Sequence, residues 1–139
     1  MNPENPKLTE AWQAACRVRE KAYAPYSHYQ VGAALILKDC DEIYSGCNVE
    51  NASYGATICA ERNAVFSAVA ARGQIEILEL VLVTRQPAPP CGMCLQVLSE
   101  FASSETVIYL ATPEKIFHKH AFKDFLPLQF SPTHLEKND

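Results

Sequence analysis

The chain has 139 residues, of which 48% are hydrophobic and 20% are charged, and this composition is typical of one soluble globular domain spanning 1–139. Lys and Arg number 12 against 16 Asp and Glu, giving a net charge of −4. That balance disfavours a nucleic acid or an anionic membrane as partner, because phosphates select for basic residues. The chain shows no bilayer-spanning apolar run and no secretory signal, so we expect a cytoplasmic protein with reduced cysteines.

The first part of the chain predicts a helix followed by a β-hairpin. Apolar residues recur at helical spacing over 8–24, and Pro25 ends that helix because the residue before a proline avoids helical geometry. The unbroken apolar run over 31–37 is typical of a strand that is covered on both faces. A turn over 38–41 then leads to a second strand over 42–49.

The rest of the chain alternates helices and strands. Such alternation after an opening hairpin indicates an α/β fold, a three-layer α/β/α sandwich on a mixed five-stranded sheet. Ligand sites in these sheets lie at the carboxyl ends of strands, where helices begin. The predicted elements are a loop over 48–55, a helix from Cys59 with its C-cap at Gly73, a strand over 77–84, a helix from Pro90 to about Phe101, and strands over 106–111 and 115–118.

Three cysteines fall into two short motifs, each at the start of a predicted helix. Glu61 stands two residues after Cys59, while Cys91 and Cys94 are three apart and share a helix face. Catalytic zinc sites use three protein ligands and leave one position for water, whereas structural sites use four. The three thiols therefore predict one catalytic Zn²⁺ per subunit, with Glu61 as a base beside the bound water. Arg62 is expected to donate to a ligand sulfur and offset the charge of three thiolates.

A closed structural zinc site is the alternative, and the chain would then be a non-catalytic, zinc-stabilised interaction module. That site needs a fourth ligand, for which the candidates are the other three cysteines and the four histidines. The order Cys-x-Glu followed by Pro-Cys-x-x-Cys favours catalysis, because it is the pattern of zinc-dependent deaminases. Cys16 and Cys47 are expected to be buried as small hydrophobic residues.

With these motifs located, the chain resembles the cytidine deaminase family in its short, single-domain form. The resemblance implies hydrolytic deamination of cytidine, and of 2′-deoxycytidine, with release of ammonia in pyrimidine salvage. It implies that Cys59, Cys91 and Cys94 bind zinc, and that Glu61 shuttles protons for a zinc-bound hydroxide. The matching segments cover nearly the whole chain and are 22–27, 31–35, 48–54, 59–62, 90–94 and 125–130.

The resemblance also implies a substrate site shared between the subunits of a homotetramer. Asn48 and Glu50 match the family residues that hold the ribose 3′-hydroxyl. A carboxylate at that place repels a 3′-phosphate, so a free nucleoside is favoured over a polynucleotide. Tyr29 stands where the family commonly has a Phe against the pyrimidine. The remaining implied contacts are Ala60 and, reaching a neighbouring subunit's site, Ala52, Tyr54 and Phe130.

Two further positions differ from the family pattern. Cys40 replaces the glycine of the usual Asp-Gly turn, and Leu95 replaces the arginine that usually follows the second cysteine of the pair. We expect Leu95 to be packed, within its subunit or at a subunit contact, because a Leu gains about 1.5–3 kcal/mol on full burial. Among enzymes, the alternative function is deamination of a cytosine-containing antibiotic nucleoside such as blasticidin S.

Overall fold

A mixed five-stranded sheet forms the centre of the structure, a computed structural model that describes residues 5–135. In the spatial order β2-β1-β3-β4-β5, neighbouring strands are antiparallel except β3 and β4, which are parallel. The strands are β1 (Gly32–Leu37), β2 (Ile43–Cys47), β3 (Ile77–Val83), β4 (Ala102–Ala111) and β5 (Ile116–Ala121). The α-helices are α1 (Pro6–Arg19), α2 (Ala60–Arg72), α3 (Gly92–Phe101) and α4 (Phe122–Phe125), and 3-10 helices lie at Tyr54–Ala56 and Pro132–Leu135.

Helices cover both faces of this sheet. α1 packs on one face against residues such as Ala34, while α2 and α3 pack on the other face against residues such as Leu35. Because successive strand residues point to opposite faces, all six residues of β1 are buried. The predicted three-layer α/β/α sandwich on a mixed sheet is therefore confirmed. Among the described residues, no helix is long and apolar enough to cross a membrane.

The first helix is shorter than the sequence pattern predicted. It begins after Asn5, whose side chain accepts a hydrogen bond from the N–H of Leu8 at 3.1 Å, and it ends at Arg19 rather than at 24. The following residues leave the helix because Tyr23 forms a parallel β-bridge with Val49. A contact with a distant loop thus supplies the backbone hydrogen bonds that a longer helix would have made.

The last two strands are longer than predicted. β4 begins at Ala102, directly after α3, and its polar first residues gave no strand signal. The hydroxyl of Thr106 donates to the carbonyl of Ile77 at 2.7 Å and accepts from the N–H of Ser103 at 2.8 Å, so side-chain bonds hold this irregular start of the strand. β5 continues to Ala121, beyond its predicted end at 118.

The turn between β1 and β2 accommodates Cys40 without strain. Asp39 takes the left-handed conformation, with φ of 56°, and Asp tolerates that region better than most residues. Cys40 follows the turn, and its carbonyl accepts a hydrogen bond from Nζ of Lys7 at 2.6 Å. Asp39, one residue before Cys40, therefore takes the left-handed conformation for which a turn usually has a glycine.

Three sequence-based expectations about packing have different outcomes. Leu95 is 8% exposed and packs in the core of its own subunit with Leu98, so its predicted burial is confirmed. Gly73 is the C-cap of α2 with φ of 76°, also as predicted. Cys16 and Cys47 are half-buried rather than buried, because the first lies on the flank of α1 and the second at the end of an edge strand.

α2 approaches the sheet closely at one glycine. A Cβ on Gly46 would lie 2.3 Å from the backbone nitrogen of Ala64 and 2.8 Å from the carbonyl oxygen of Ala60. These distances are far below van der Waals contact, so any larger residue in β2 would push α2 away. The absence of a side chain at Gly46 therefore sets the position of the first turn of α2.

Candidate active site

The two cysteine motifs meet at one edge of the sheet, where α2 and α3 begin. Cys59 is the N-cap of α2, Cys91 is the N-cap of α3, and Cys94 lies in the first turn of α3. The Sγ atoms of Cys91 and Cys94 are 3.5 Å apart, those of Cys59 and Cys91 are 3.9 Å apart, and all three lie within 4.8 Å of one another. Two sulfurs bound at tetrahedral angles to one zinc ion are about 3.8 Å apart. The spacing of the thiols therefore fits a single Zn²⁺.

Within the described part of the chain, the thiol cluster consists of three residues. Among residues 5–135, no other Cys, His, Asp or Glu offers a ligand atom to this cluster. A closed structural zinc site, which needs four protein ligands, thus lacks its fourth. The donor set instead matches a zinc site with one position open to a small molecule.

Arg62 and the neighbouring thiols stabilise a negative charge on Cys59. The pKa of Cys59 is lowered to about 5, chiefly by a hydrogen bond from Cys94, and the pKa of Cys94 is raised by the same interaction. Nη2 of Arg62 also donates to Sγ of Cys59 at 3.5 Å. Arg62 is only 8% exposed, and its Nε has no partner among the described residues, so its guanidinium lies buried against the sulfur cluster. This is the contact that the sequence predicted for Arg62.

Glu61 is a buried carboxyl group next to these sulfurs. It lies in the first turn of α2 and is 4% exposed. Burial raises its pKa to about 7, since a charged carboxylate is poorly solvated inside the protein. A group with that pKa exists in both protonation states near neutral pH, which suits a residue that accepts and returns a proton.

A cleft of about 270 Å³ opens above Glu61, Cys59 and Cys91. Its volume lies near the lower end of the range of small-molecule sites, and its walls come from three loops, from α2 and from the end of β3. The structure thus brings together most of the residues that the sequence proposed for the site. Those that line the cleft are Tyr29, Asn48, Glu50, Cys59, Ala60, Glu61 and Cys91.

Asn48 connects the loops that form one wall of the cleft. Its Oδ1 accepts a hydrogen bond from the N–H of Val31 at 2.9 Å, and its Nδ2 donates to the carbonyl of Tyr29 at 2.8 Å. The side chain is 7% exposed. One N–H and one lone pair of the amide remain for a ligand. Asn48 therefore holds the loop that carries Tyr29, whatever it offers to a substrate.

Glu50 lies on the same wall and is also held by its neighbours. Its carboxylate accepts hydrogen bonds from the backbone N–H groups of Tyr26 and Ser27 at 3.0 and 3.1 Å, and from the hydroxyl of Ser27. These bonds, with that from the Ser27 hydroxyl foremost, keep the pKa of Glu50 below its ordinary value. A negatively charged group thus stands at the wall of the cleft.

Three predicted substrate contacts do not reach the cleft of their own subunit. Ala52 and Tyr54 lie in the exposed loop before α2, and Tyr54 is 75% exposed with its ring edge against Tyr26. Phe130 is 56% exposed and stacks on His134 near the C-terminal end of the described chain. We call Ala52, Tyr54 and Phe130 the rim of the molecule.

Several cleft residues had no role in the sequence-based interpretation. Ser27 and Thr57 line the cleft beside Glu50, and Pro89 lines it beside Cys91. The guanidinium of Arg85 lies over the ring of Tyr29, with its Cζ 5.5 Å from the ring centre. Pro89 belongs to the proline-rich run that precedes the second cysteine motif, and Ser27 ends the matching segment 22–27, but neither pattern indicated a contact with the cleft.

Comparisons with known proteins agree with this arrangement. The family described as cytidine and deoxycytidylate deaminase zinc-binding region matches residues 6–111. A cytidine deaminase of Halalkalibacterium halodurans is 42% identical over 118 residues, which cover 84% of this chain and 89% of the relative. A probable cytidine deaminase of Dictyostelium discoideum is 38% identical over 138 residues, covering 97% and 90% of the two chains.

Solved structures show the same similarity. The crystal structure of a cytidine deaminase from Burkholderia pseudomallei superposes with a TM-score of 0.80 at 40% identity, covering 88% of this chain and 98% of the other. That of Mycobacterium tuberculosis superposes with a TM-score of 0.74 at 35% identity, covering 88% and 96%. Both the match over 6–111 and the three-cysteine cluster fit one zinc ion per subunit. The chain therefore belongs to the cytidine deaminase family of zinc-dependent enzymes.

Proposed function

We propose that this enzyme hydrolyses cytidine, and also 2′-deoxycytidine, to the corresponding uridine nucleoside and ammonia, as a step of pyrimidine salvage. The observation that carries the proposal is the position of Glu61, a buried carboxyl group beside three convergent thiols at the base of a small cleft. The relatives named above are cytidine deaminases, which supports the choice of nucleoside. A cytoplasmic location stays a prediction.

Glu61 has the central chemical role in this proposal. Zinc, when held by Cys59, Cys91 and Cys94, supplies a Lewis acid that makes water ionise near neutral pH. Glu61 takes a proton from the water that attacks C4 of the cytosine ring and delivers it to ring nitrogen N3. The second proton of that water passes through the same carboxyl group to the amino group, the C4–N bond breaks, and ammonia leaves while the water oxygen stays as the C4 carbonyl of uridine. Its burial supports this role, because the protonated and charged forms are then close in free energy.

The wall of the cleft accounts for recognition of the nucleoside. The carboxylate of Glu50 accepts a hydrogen bond from the ribose 3′-hydroxyl, and the free N–H of Asn48 donates to the same hydroxyl. The ring of Tyr29 lies against the pyrimidine. Because these contacts involve the 3′-hydroxyl and the base, removal of the 2′-hydroxyl should be tolerated. A 3′-phosphate would meet the negative charge of Glu50, so polynucleotides are excluded.

The rim supports a further part of the proposal, a homotetramer with shared sites. Tyr54 and Phe130 are large aromatic residues with 75% and 56% of their surface exposed, and neither lines the cleft of its own subunit. Exposed aromatic residues are typical of protein–protein contacts. In the tetramer these residues and Ala52 close the cleft of a neighbouring subunit around the substrate.

Incubation of the zinc-loaded enzyme with cytidine tests the proposal. We expect the absorbance of cytosine to fall while uridine and ammonia form in equal amounts, and we expect prior removal of zinc by a chelator to abolish the reaction. Turnover of blasticidin S but not of cytidine would show that the substrate is the antibiotic nucleoside instead. Full zinc content without turnover of either compound would support the non-catalytic zinc module instead.

A further inference from the structure

A chain of hydrogen bonds passes through Ser27 and connects the two loops that form one wall of the cleft. The N–H of Tyr29 donates to Oγ of Ser27 at 3.0 Å, and the hydroxyl of Ser27 donates to Oε2 of Glu50. Oε1 of Glu50 accepts from the N–H groups of Tyr26 and Ser27. The loop that carries Tyr29 is thereby bonded at three points to the carboxylate of Glu50.

The direction of this chain is fixed by the chemistry of its members. A backbone N–H can only donate and an ionised carboxylate can only accept, so the single hydrogen of the Ser27 hydroxyl must point to Glu50. A carboxylate has about four lone-pair sites, and Ser27 and Tyr26 occupy three of them. About one acceptor site is left for a ligand, and its direction depends on the other three bonds.

We propose that Ser27 is a positioning residue, whose hydroxyl orients Glu50 so that its remaining acceptor site faces the 3′-hydroxyl of the nucleoside. The inference rests on the proposed role of Glu50 in sugar recognition and adds to it the group that sets the geometry. It also couples the two halves of recognition, because the same hydroxyl accepts the N–H of Tyr29, whose ring forms the base-binding wall.

The loop has other attachments, so the hydroxyl of Ser27 is not needed for its fold. Asn48 bonds to Val31 and Tyr29, and Tyr23 forms a β-bridge with Val49. Ser27 itself is exposed, so removal of its hydroxyl leaves no buried cavity. A variant without the hydroxyl should therefore fold and bind zinc while Glu50 loses one of its three donors.

The test compares cytidine with 3′-deoxycytidine in the zinc-loaded enzyme and in Ser27→Ala. For cytidine we expect kcat/KM to fall about tenfold through a higher KM, the low end of the effect of a hydrogen bond to a charged group. For 3′-deoxycytidine, which lacks the hydroxyl that Glu50 accepts, we expect little change. Ser27→Thr keeps a hydroxyl and should retain the preference for cytidine. Ser104→Ala, which removes an exposed hydroxyl on β4, is the matched control.

The outcomes separate this inference from the proposed function on which it rests. If the unaltered enzyme strongly prefers cytidine and Ser27→Ala lowers kcat/KM equally for both nucleosides, Ser27 is only structural and the inference is overturned. If the unaltered enzyme itself shows no preference, the role of Glu50 fails and the inference fails with it. Should Ser27→Ala not fold in a thermal melt, Ser27→Cys decides, since its weakly donating thiol should also reduce the preference.

Discussion

The base of the cleft and the rim of the molecule differ in how far a single subunit fixes the surroundings of their residues. At the base, Cys59, Glu61 and Cys94 are buried or half-buried, and their positions follow from two helix starts packed on one sheet. At the rim, Tyr54 and Phe130 are largely exposed, and neither is among the residues that line the cleft of their own subunit. The catalytic groups are thus assembled within one chain, whereas in the proposed tetramer a second chain completes the closure around the substrate.

Loss of one sulfur should have the largest effect. Cys94→Ala removes a fully buried zinc ligand, and two sulfurs do not suffice for a stable catalytic site. We expect zinc content measured by atomic absorption to fall to background and turnover of cytidine to disappear. Cys16→Ala, which alters a half-buried cysteine on the opposite face of the sheet, should keep both. Stoichiometric zinc in purified Cys94→Ala would refute the three-cysteine site.

Replacement of Glu61 should remove catalysis without removing the metal. General acid–base catalysis contributes about 100–10,000-fold to rates. Glu61→Gln should therefore lower kcat by several orders of magnitude. Zinc content and thermal unfolding should stay close to those of the unaltered enzyme. Glu79→Gln is the control, because Glu79 is a partly buried carboxyl on β3 away from the cleft. A near-normal kcat for Glu61→Gln would exclude this residue from the mechanism.

A change behind the base of the cleft should damage it indirectly. Gly46→Ala places a Cβ 2.3 Å from the backbone of α2, and overpacking of this kind costs about 1–3 kcal/mol. We expect a lower midpoint of thermal unfolding together with weaker zinc retention, because α2 carries the first motif. Gly92→Ala, where a Cβ meets no atom within 4 Å, should unfold at a normal or higher temperature. Equal stability of the two variants would contradict the close approach of β2 and α2.

Changes at the rim should have the smallest effect and alter substrate binding alone. Phe130→Ala should raise KM for cytidine about tenfold, because the variant lacks the ring that packs against the substrate of a neighbouring subunit in the proposed tetramer. Zinc content should remain stoichiometric and kcat nearly constant. Leu128→Ala, which alters an exposed residue nearby in the same segment, is the control. Light scattering should give the mass of a tetramer for all of these proteins, and an active monomer would rule out shared sites.

The sequence predicted the base of the cleft better than its walls. The zinc motifs are local patterns, since helix starts and a spacing of three residues determine where the sulfurs lie. The apolar runs of β1 and β3 identify the buried strands for the same reason. The sequence also predicted the burial of Leu95, because it shares the inner face of α3 with Leu98.

What the sequence could not predict depends on contacts between distant segments. Ser27 and Glu50 are 23 residues apart, and nothing in either segment indicates that they are bonded. The early end of α1 has the same origin, since Tyr23 pairs with a loop that follows β2. The start of β4 was missed because its residues are polar and are held by the side chain of Thr106. Such features follow from tertiary structure rather than from local pattern.

The most direct test of shared sites uses hybrid tetramers that contain both Glu61→Gln and Phe130→Ala subunits. The two variants are co-expressed with different affinity tags, and the hybrids are purified through both tags. In a hybrid, a Phe130→Ala subunit supplies an intact Glu61 while its Glu61→Gln neighbour supplies an intact Phe130. We predict that the hybrid recovers the KM of the unaltered enzyme at a reduced kcat. A hybrid that keeps the raised KM of Phe130→Ala would show that each subunit closes its own site, and would contradict the account.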